Sequence, residues 1–224
     1  MRGTIRVVSF DGDGTPWYFE KVMRHSLSHA LGELRRLVPA AEALDIETMI
    51  AIRERVADEL KGIVTNLEMV RLAALKRTLE HLSIFDDDLA AHLSDVYLRH
   101  RYEDIELFDD VLPTLDALRQ RFVLGLLSNG NSYPDRCGLE GLFEFVVFSQ
   151  DWGVEKPDPR LFRIALRQAA CTERELLHVG DSLQSDVRGA KQVGARSAQA
   201  LVACQGARSE RIGPRSCSPP WARG

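Results

Sequence analysis

The apolar run IRVVSF at residues 5–10 passes directly into DGDGT at residues 11–15, and this junction decides how the chain folds. The run is short and partly β-branched, which is typical of a buried strand, and the glycines behind it predict a loop. Asp11 and Asp13 therefore stand just past the end of a buried strand. If the chain turns there, both carboxylates face one site, where one can act as a nucleophile and the other can move protons.

The same acidic loop also has to be compared with a calcium-binding loop. An EF-hand requires glycine and glutamate where this chain has Pro16 and Val22, and the preceding run predicts a strand. A calcium loop of that type is therefore excluded.

Four further apolar runs repeat the pattern of strand followed by polar cluster. We predict strands at residues 122–127, 145–148, 175–179 and 198–203, and helices at 113–121, 159–170 and 186–193. Strands that alternate with helices indicate parallel βαβ units, so the sequence predicts an α/β fold with a doubly wound parallel sheet. Ligands of such sheets bind at the carboxyl ends of the strands, and the polar clusters of this chain fall there.

The stretch between residues 19 and 102 contains no convincing strand. Its apolar residues recur at helical spacing in four segments, at 19–38, 46–63, 66–83 and 87–102. Four amphipathic helices joined by short loops predict a small α-helical bundle. We therefore expect a catalytic core at residues 1–16 and 104–204, interrupted by an inserted helical cap at residues 17–103.

The composition excludes several functional classes. The chain has 224 residues, with 29 lysines and arginines against 33 aspartates and glutamates and a formal charge of −4. This acidic balance argues against nucleic acid as a partner. No apolar run is long enough for a membrane helix, so we expect no membrane partner. The four cysteines form no C-x-x-C pair, which argues against a zinc site or a disulfide framework and predicts a reduced, cytoplasmic protein.

Three more polar clusters follow the later strands. Ser128-Asn129-Gly130 offers a hydroxyl and backbone N–H groups that can hold phosphate oxygens, although the tripeptide is also an ordinary turn. Lys156, in a loop stiffened by prolines, can neutralise a phosphoryl group or can be a solvated surface charge. Asp181 and Asp186 add two hard oxygen ligands suited to Mg²⁺ with phosphate, while Asp186 alone can also be a helix cap.

In this order and at these places, the four clusters resemble the haloacid dehalogenase superfamily of hydrolases. The resemblance covers about residues 4–203 and rests on FDGDGT at 10–15, LLSNG at 126–130, EKPDPRLF at 155–162 and HVGDSLQSDVRGAKQVGA at 178–195. It implies a Rossmann-like core with strand order 5-4-1-2-3. Because the helical insert follows the first cluster directly, it also implies the helical-cap subclass that includes phosphoglycolate phosphatase-like members.

The resemblance implies hydrolysis of a small phosphorylated metabolite with Mg²⁺ as cofactor. Asp11 would attack phosphorus and become an aspartyl phosphate, and Asp13 would protonate the leaving oxygen and then activate water. Mg²⁺ would bind Asp11, the backbone carbonyl of Asp13, and Asp181.

The remaining implied roles concern the phosphoryl group and the lysine. Ser128 and Lys156 would hold the phosphoryl oxygens, and Lys156 would also restrain the nucleophile. Asp186 would act through water or orient the lysine. Further phosphate contacts would come from Thr15, Asn129 and Gly130.

Three alternatives stay open. Haloacid dehalogenases of the superfamily use no metal, typically carry Tyr where this chain has Asp13, and lack the acid corresponding to Asp181. The presence of both acids therefore favours phosphatase chemistry. Sugar-phosphate mutases of the same fold keep both acids, so they are the second alternative. A non-catalytic binding protein that retains the fold is the third alternative.

The aromatic and cationic residues of the cap have two interpretations each. Trp17 and its neighbours can line the cap entrance or belong to the core, and we favour the core. Several cap cations can meet a second acidic group of a substrate, but most charges on amphipathic helices are solvated. These cations are Arg24, His25, Arg71, Lys76 and Arg99.

Two departures from the family pattern affect what we expect. Pro16 replaces the usual leucine, and because proline fixes φ and removes a donor, the gating of the site is in question. The core pattern fades after about Ala200, and the composition of residues 205–224 predicts a disordered tail. We interpret this end as truncated or frame-shifted, a hypothesis that an unambiguous reading frame through residue 224 would remove.

Overall fold

The structure is a computed structural model that describes residues 4–201. The tail predicted at residues 205–224, and the hypothesis of an altered end, lie outside the described residues. Within them, no helix is both long enough and apolar enough to cross a lipid bilayer.

A parallel sheet of five strands forms the centre of the described chain. The strands are β1 (Val7–Phe10), β2 (Val123–Ser128), β3 (Phe145–Phe148), β4 (Leu176–Gly180) and β5 (Arg196–Gln199). Their order is β3-β2-β1-β4-β5, which confirms the predicted Rossmann-like order read from the opposite edge. Phe10, the last residue of β1, pairs with Leu126 of β2 and Val179 of β4. The polar clusters after these three strands consequently share one edge of the sheet.

The position of β5 differs from the prediction. The strand begins at Arg196 and ends at Gln199, whereas the apolar pattern placed it at residues 198–203. β5 is an edge strand with mostly exposed side chains, so burial leaves no apolar signal in its sequence. Its register comes from pairing with β4, where Leu177 faces Arg196 and Gly180 faces Gln199.

Helices cover both faces of the sheet. Two apolar clusters, one around Leu127 and Phe162 and the other around Leu126 and Phe148, pack them against it. The helices are α5 (Val111–Arg119), α6 (Ser149–Trp152), α7 (Pro159–Gln168) and α8 (Gly189–Gln192). The helix predicted at residues 186–193 is instead a π-helical segment, Leu183–Arg188, that continues into the short α8. The prediction missed α6, which is only four residues long.

Four long helices occupy the predicted insert. They are α1 (Phe19–Leu37), α2 (Ile46–Leu60), α3 (Leu67–His81) and α4 (Asp87–Glu103). Side chains of Asp45, Asn66 and Asp86 cap the starts of α2, α3 and α4 by accepting from backbone N–H groups. These helices share an apolar core of their own, which includes Leu34, Leu79 and Leu93. The chain leaves the sheet just before α1 and returns to it just after α4.

Candidate active site

The end of β1 places Asp11 at the centre of the site. Its backbone N–H donates to the Val179 carbonyl at 2.8 Å, which continues the pairing with β4 one residue beyond the strand. The chain then turns sharply, and Gly14 has a φ of 85°, a value that favours glycine. The Asp11 carboxylate is buried and forms an ion pair with Lys156, at 2.7 Å from Oδ1 to Nζ.

Lys156 is a buried cation whose ammonium is surrounded by acceptors. Nζ lies 2.7 Å from Oδ1 of Asp11 and 2.6 Å from Oδ1 of Asp186, and it donates to the Leu127 carbonyl at 2.9 Å. The side chain is only 1% exposed. Since an ammonium has three N–H donors, these three partners fix its position. The loop lysine therefore belongs to the site and is not a solvated surface charge.

The side chain of Asn129 fastens the lysine loop to the end of β2. Its Oδ1 accepts from the Lys156 backbone N–H at 2.7 Å, and its Nδ2 donates to the Lys156 carbonyl at 3.0 Å. Both polar groups of the predicted phosphate ligand are thus engaged with the loop. The backbone N–H of Asn129 and the second N–H of its Nδ2 are left for a phosphate contact.

Asp186 is a buried carboxylate with a partner on each oxygen. Oδ1 faces Lys156 and lies 3.0 Å from Nε2 of His178, and Oδ2 accepts from the Ser182 backbone N–H at 3.0 Å. Burial opposes its charge, but His178 and Lys156 lower the pKa of Asp186 to about 2. Burial also lowers the pKa of His178, which favours the neutral imidazole. This arrangement supports the expectation that Asp186 orients the lysine.

Three carboxylates at the site can hold a divalent cation. Oxygens of Asp11, Asp181 and Asp186 all lie within 4.8 Å of one another. Burial and the charges of the other two acids raise the pKa of Asp181. A Cβ on Gly14 would lie 2.6 Å from Oδ2 of Asp181, so the backbone of the first loop lies against this carboxylate. Three acids facing one ammonium carry excess negative charge, and hard oxygens suit Mg²⁺, so the residues fit this ion.

Asp13 is held by residues that the sequence analysis did not place at the site. Its Oδ1 accepts from Nε1 of Trp17 and from Nη2 of Arg101, each at 2.8 Å. Ser132 donates to the same oxygen at 3.4 Å and also contacts Arg101. Trp17 is buried, as expected of a core aromatic, but it also orients this acid.

Arg101 could have been found from the spacing of α4. Leu93, Tyr97 and Arg101 are buried and four residues apart, so the arginine continues the apolar stripe of the helix. A cation on a buried stripe needs an anionic partner, which here is Asp13.

Ser128 and Gly130 lie against the loop that carries Asp11 and Asp13. Ser128 Oγ accepts from the Gly130 backbone N–H at 3.0 Å and from the Gly12 N–H at 3.4 Å. A Cβ on Gly130 would lie 2.7 Å from Oδ2 of Asp13. The close approach of the two loops therefore requires glycine at residue 130.

Thr15 is the predicted site residue that lies apart from the others. It lines a mostly apolar cavity with Phe10, Leu115 and Val179, and none of the site's carboxylates is among the described residues around that cavity. Pro16 is buried in the same turn, where its carbonyl accepts from the Phe108 N–H at 3.0 Å.

Comparisons with known proteins agree with this geometry. The chain is 28% identical over 197 residues to a glyceraldehyde 3-phosphate phosphatase of Methanopyrus kandleri, covering 85% of this chain and 81% of that one. It is 26% identical over 194 residues to a 5-amino-6-(5-phospho-D-ribitylamino)uracil phosphatase of Escherichia coli, covering 86% and 82%. Among solved structures, a 2-haloacid dehalogenase of Pseudomonas syringae superposes with a TM-score of 0.74 at 32% identity, covering 87% and 85%.

The family assignment follows from a match that spans most of the chain. A profile of the haloacid dehalogenase-like hydrolases matches residues 5–194, which include all four polar clusters and the inserted helices. The chain belongs to the haloacid dehalogenase-like hydrolases.

Proposed function

We propose that this hydrolase is a phosphatase that removes phosphate from a small phosphorylated metabolite with the help of Mg²⁺. The observation that carries the proposal is the meeting of Asp11, Asp181 and Asp186 at one edge of the sheet, with Nζ of Lys156 2.7 Å from Oδ1 of Asp11. The two relatives named as phosphatases support the same chemistry.

In the first half of the reaction, a carboxylate oxygen of Asp11 forms a bond to phosphorus while the bond to the ester oxygen breaks. Asp13 gives a proton to the leaving oxygen, next to the turn that holds it. Lys156 orients Asp11, and its positive charge faces the phosphoryl oxygens together with the Ser128 hydroxyl and the backbone N–H of Asn129.

In the second half, Asp13 takes a proton from water, and this water attacks the phosphorus of the aspartyl phosphate. The Asp11 oxygen leaves, and inorganic phosphate is released. Asp11, Asp181 and the backbone carbonyl of Asp13 would hold Mg²⁺, which when bound supplies positive charge against the phosphoryl oxygens.

The division into two parts belongs to the same proposal. Among the described residues, 4–16 and 104–201 would form the proposed catalytic core, and 17–103 the proposed cap. The separate apolar core of α1–α4 supports this division. The contact of Arg101 with Asp13 brings the cap directly to the reacting groups.

A dehalogenase is the second candidate, because the matched solved structure at 32% identity is a 2-haloacid dehalogenase. Dehalogenase chemistry needs neither a proton-transferring acid at residue 13 nor a metal-binding acid at residue 181. Asp13 has three hydrogen-bond donors around it, and Asp181 lies among other carboxylates, which favours the phosphatase.

The test compares the two reactions in one preparation. We expect hydrolysis of p-nitrophenyl phosphate that requires Mg²⁺ and falls at least ~10³-fold in Asp11→Asn, since the nucleophile is lost. Asp158→Asn is the matched control, because Asp158 caps α7 near the lysine and asparagine caps equally well. Chloride release from 2-chloropropionate without phosphatase activity would instead establish the dehalogenase.

A further inference from the structure

A cavity of about 100 Å³ lies between the inserted helices and the edge of the sheet, and Asp13 forms part of its wall. Arg53, Arg71 and Arg101 also line it, and Asp13 is the one carboxylate among its described lining residues. The cavity therefore adjoins the proposed reaction centre and carries an excess of positive charge.

Three buried hydrogen-bond donors of this cavity have no acceptor among the described residues. They are Nη1 of Arg71, Nη1 of Arg101 and Nδ2 of Asn131. Leaving a buried donor unpaired costs about 1–3 kcal/mol, and more when the group is charged, so native proteins rarely tolerate it without a reason. All three groups are donors, which is the pattern that an anionic ligand with several acceptor oxygens would complete.

Arg71 shows the imbalance most clearly. The described residues place no carboxylate within ion-pair distance of its guanidinium, which lies 4.9 Å from the centre of the Tyr97 ring. Burial lowers the pKa of Arg71. Buried arginine is normally paired, and the planar guanidinium matches a carboxylate with two parallel hydrogen bonds.

We propose that the substrate carries a second anionic group, a carboxylate, which binds in this cavity to Arg71, Arg101 and Asn131 while its phosphate lies at Asp11. The inference rests on the proposed phosphatase function and names the substrate class. A volume of about 100 Å³ is well above the ~10–15 Å³ that a single water needs, so the cavity has room for a carboxylate.

The test uses carboxyalkyl phosphates of increasing chain length and alkyl phosphates of the same lengths. We expect kcat/KM to favour one carboxyalkyl phosphate over its alkyl partner by ten- to hundredfold, roughly the effect of one or two hydrogen bonds between charged groups. Arg71→Met should reduce this preference at least tenfold. Arg99→Met, an exposed arginine on α4, is the matched control and should leave the preference unchanged.

The outcomes separate this inference from the phosphatase proposal. Turnover of p-nitrophenyl phosphate without preference for any carboxyalkyl phosphate would overturn the carboxylate site and leave the phosphatase standing. Preference for bisphosphates would overturn the carboxylate as the second group. Absence of all Mg²⁺-dependent turnover would count against the phosphatase itself. As a readout independent of turnover, the Tm of Asp11→Asn should rise more with the carboxyalkyl phosphate than with its alkyl partner.

A second, independent observation is a cluster of three histidines and one aspartate between α1 and α4. His25 and His29 are one turn apart on α1, and His100 and Asp104 are one turn apart at the end of α4. Oδ2 of Asp104 lies 2.8 Å from Nε2 of His25 and 2.8 Å from Nδ1 of His100. The His29 ring stacks on the His100 ring with centroids 3.6 Å apart.

The ligand chemistry of this cluster fits a transition-metal ion. The four side chains each offer a ligand atom, and these atoms all lie within 4.8 Å of one another. Ligand atoms around tetrahedral zinc are about 3.3–3.5 Å apart, so small side-chain rotations would close the site.

We infer that this cluster is a Zn²⁺-type site that ties α1 to the end of α4. The test titrates untagged, chelator-treated protein with Zn²⁺ in excess Mg²⁺, which occupies the carboxylate site. We expect one equivalent to bind and Tm to rise by roughly 5 °C or more at about 100-fold excess over Kd. His29→Gln and His100→Gln should each weaken binding at least tenfold, whereas His92→Gln, which removes an exposed histidine of α4, should not.

Unchanged zinc affinity in both His29→Gln and His100→Gln would overturn this site. Loss of zinc binding in Asp181→Asn would also overturn it. Circular dichroism of each variant shows whether it has folded.

Discussion

Two cations near the site, the buried Lys156 and the half-buried Arg71, differ in how completely they are paired. Lys156 donates to Asp186 and to the Leu127 carbonyl, and it lies 2.7 Å from Oδ1 of Asp11 in an ion pair. Arg71 has a buried Nη1 without any acceptor among the described residues. The lysine at the sheet edge is therefore paired within the protein. The arginine among the inserted helices has a donor left for a ligand. In the proposed division of roles, the sheet edge supplies the groups that act on every phosphate, and the cap recognises the rest of the substrate.

Removing Lys156 from its ion pairs should have the largest effect on stability and turnover. Lys156→Met leaves Asp11 and Asp186 buried without their cation, so we expect a loss of about 3–5 kcal/mol in the free energy of unfolding. Turnover should also fall at least ~10³-fold, because the nucleophile loses its orienting charge. Urea unfolding and p-nitrophenyl phosphate hydrolysis measure the two effects. Lys191→Met, at an exposed lysine, is the control, and an equal loss in it would contradict the comparison.

A smaller effect is expected from the turn that holds the second acid. Trp17→Phe removes the hydrogen bond from Nε1 to Asp13, and we expect kcat to fall roughly tenfold, since a bond to a charged group is worth about 1.5–3 kcal/mol. Trp152→Phe, at a half-exposed tryptophan, provides the matched control. If both variants keep full kcat, Trp17 has only a packing role.

Removing Arg71 should have the opposite effect on the free energy of unfolding to that of Lys156→Met. Arg71→Met removes a half-buried charge that has no carboxylate partner among the described residues, so the free energy of unfolding should stay unchanged or rise by up to about 2 kcal/mol. Urea unfolding in the absence of ligand measures this change. A loss as large as that of Lys156→Met would show that Arg71 is a structural ion, and the contrast between the two cations would fail.

The smallest effect concerns an exposed network that titrates. Hydrogen bonds from the Thr172 backbone and hydroxyl and from Arg6 lower the pKa of Glu175 to about 2. Because the folded pKa lies below the unfolded value, the stability gained is fully present above about pH 4.3 and is lost as pH falls towards 2. The stability difference between the wild type and Glu175→Gln should therefore shrink between pH 6 and pH 3, as urea unfolding can show. Glu173→Gln is the control.

The sheet and the carboxylate–lysine centre were predictable because their signals are local. Each cluster follows a buried apolar strand, and parallel strands bring their carboxyl ends to one edge. The starts of α2 and α4 were also predicted correctly, because Asp45 and Asp86 cap them where the helical periodicity begins. β5 was misplaced because an exposed edge strand has no apolar pattern to reveal it.

Two partners of Asp13, Arg101 and Ser132, were not predicted, since they meet it only in three dimensions. Arg101 is 88 residues away in the chain and Ser132 is 119 residues away. Neither residue belongs to a recognisable motif. The second role of Asn129, holding the lysine loop through its side chain, was hidden by its position in a phosphate-type turn.

The hydrogen bonds of Asn129 also bear on how the protein can be re-engineered. Ser149 donates to the Asn129 carbonyl at 3.1 Å, and the Lys156 backbone is bound to the Asn129 amide, so the segment between them is anchored at both ends by one residue. Around Gly153, where an added Cβ would meet nothing within 4 Å, the chain is open to solvent. Extra residues inserted at Gly153, or new chain termini cut there, should leave the lysine where it is.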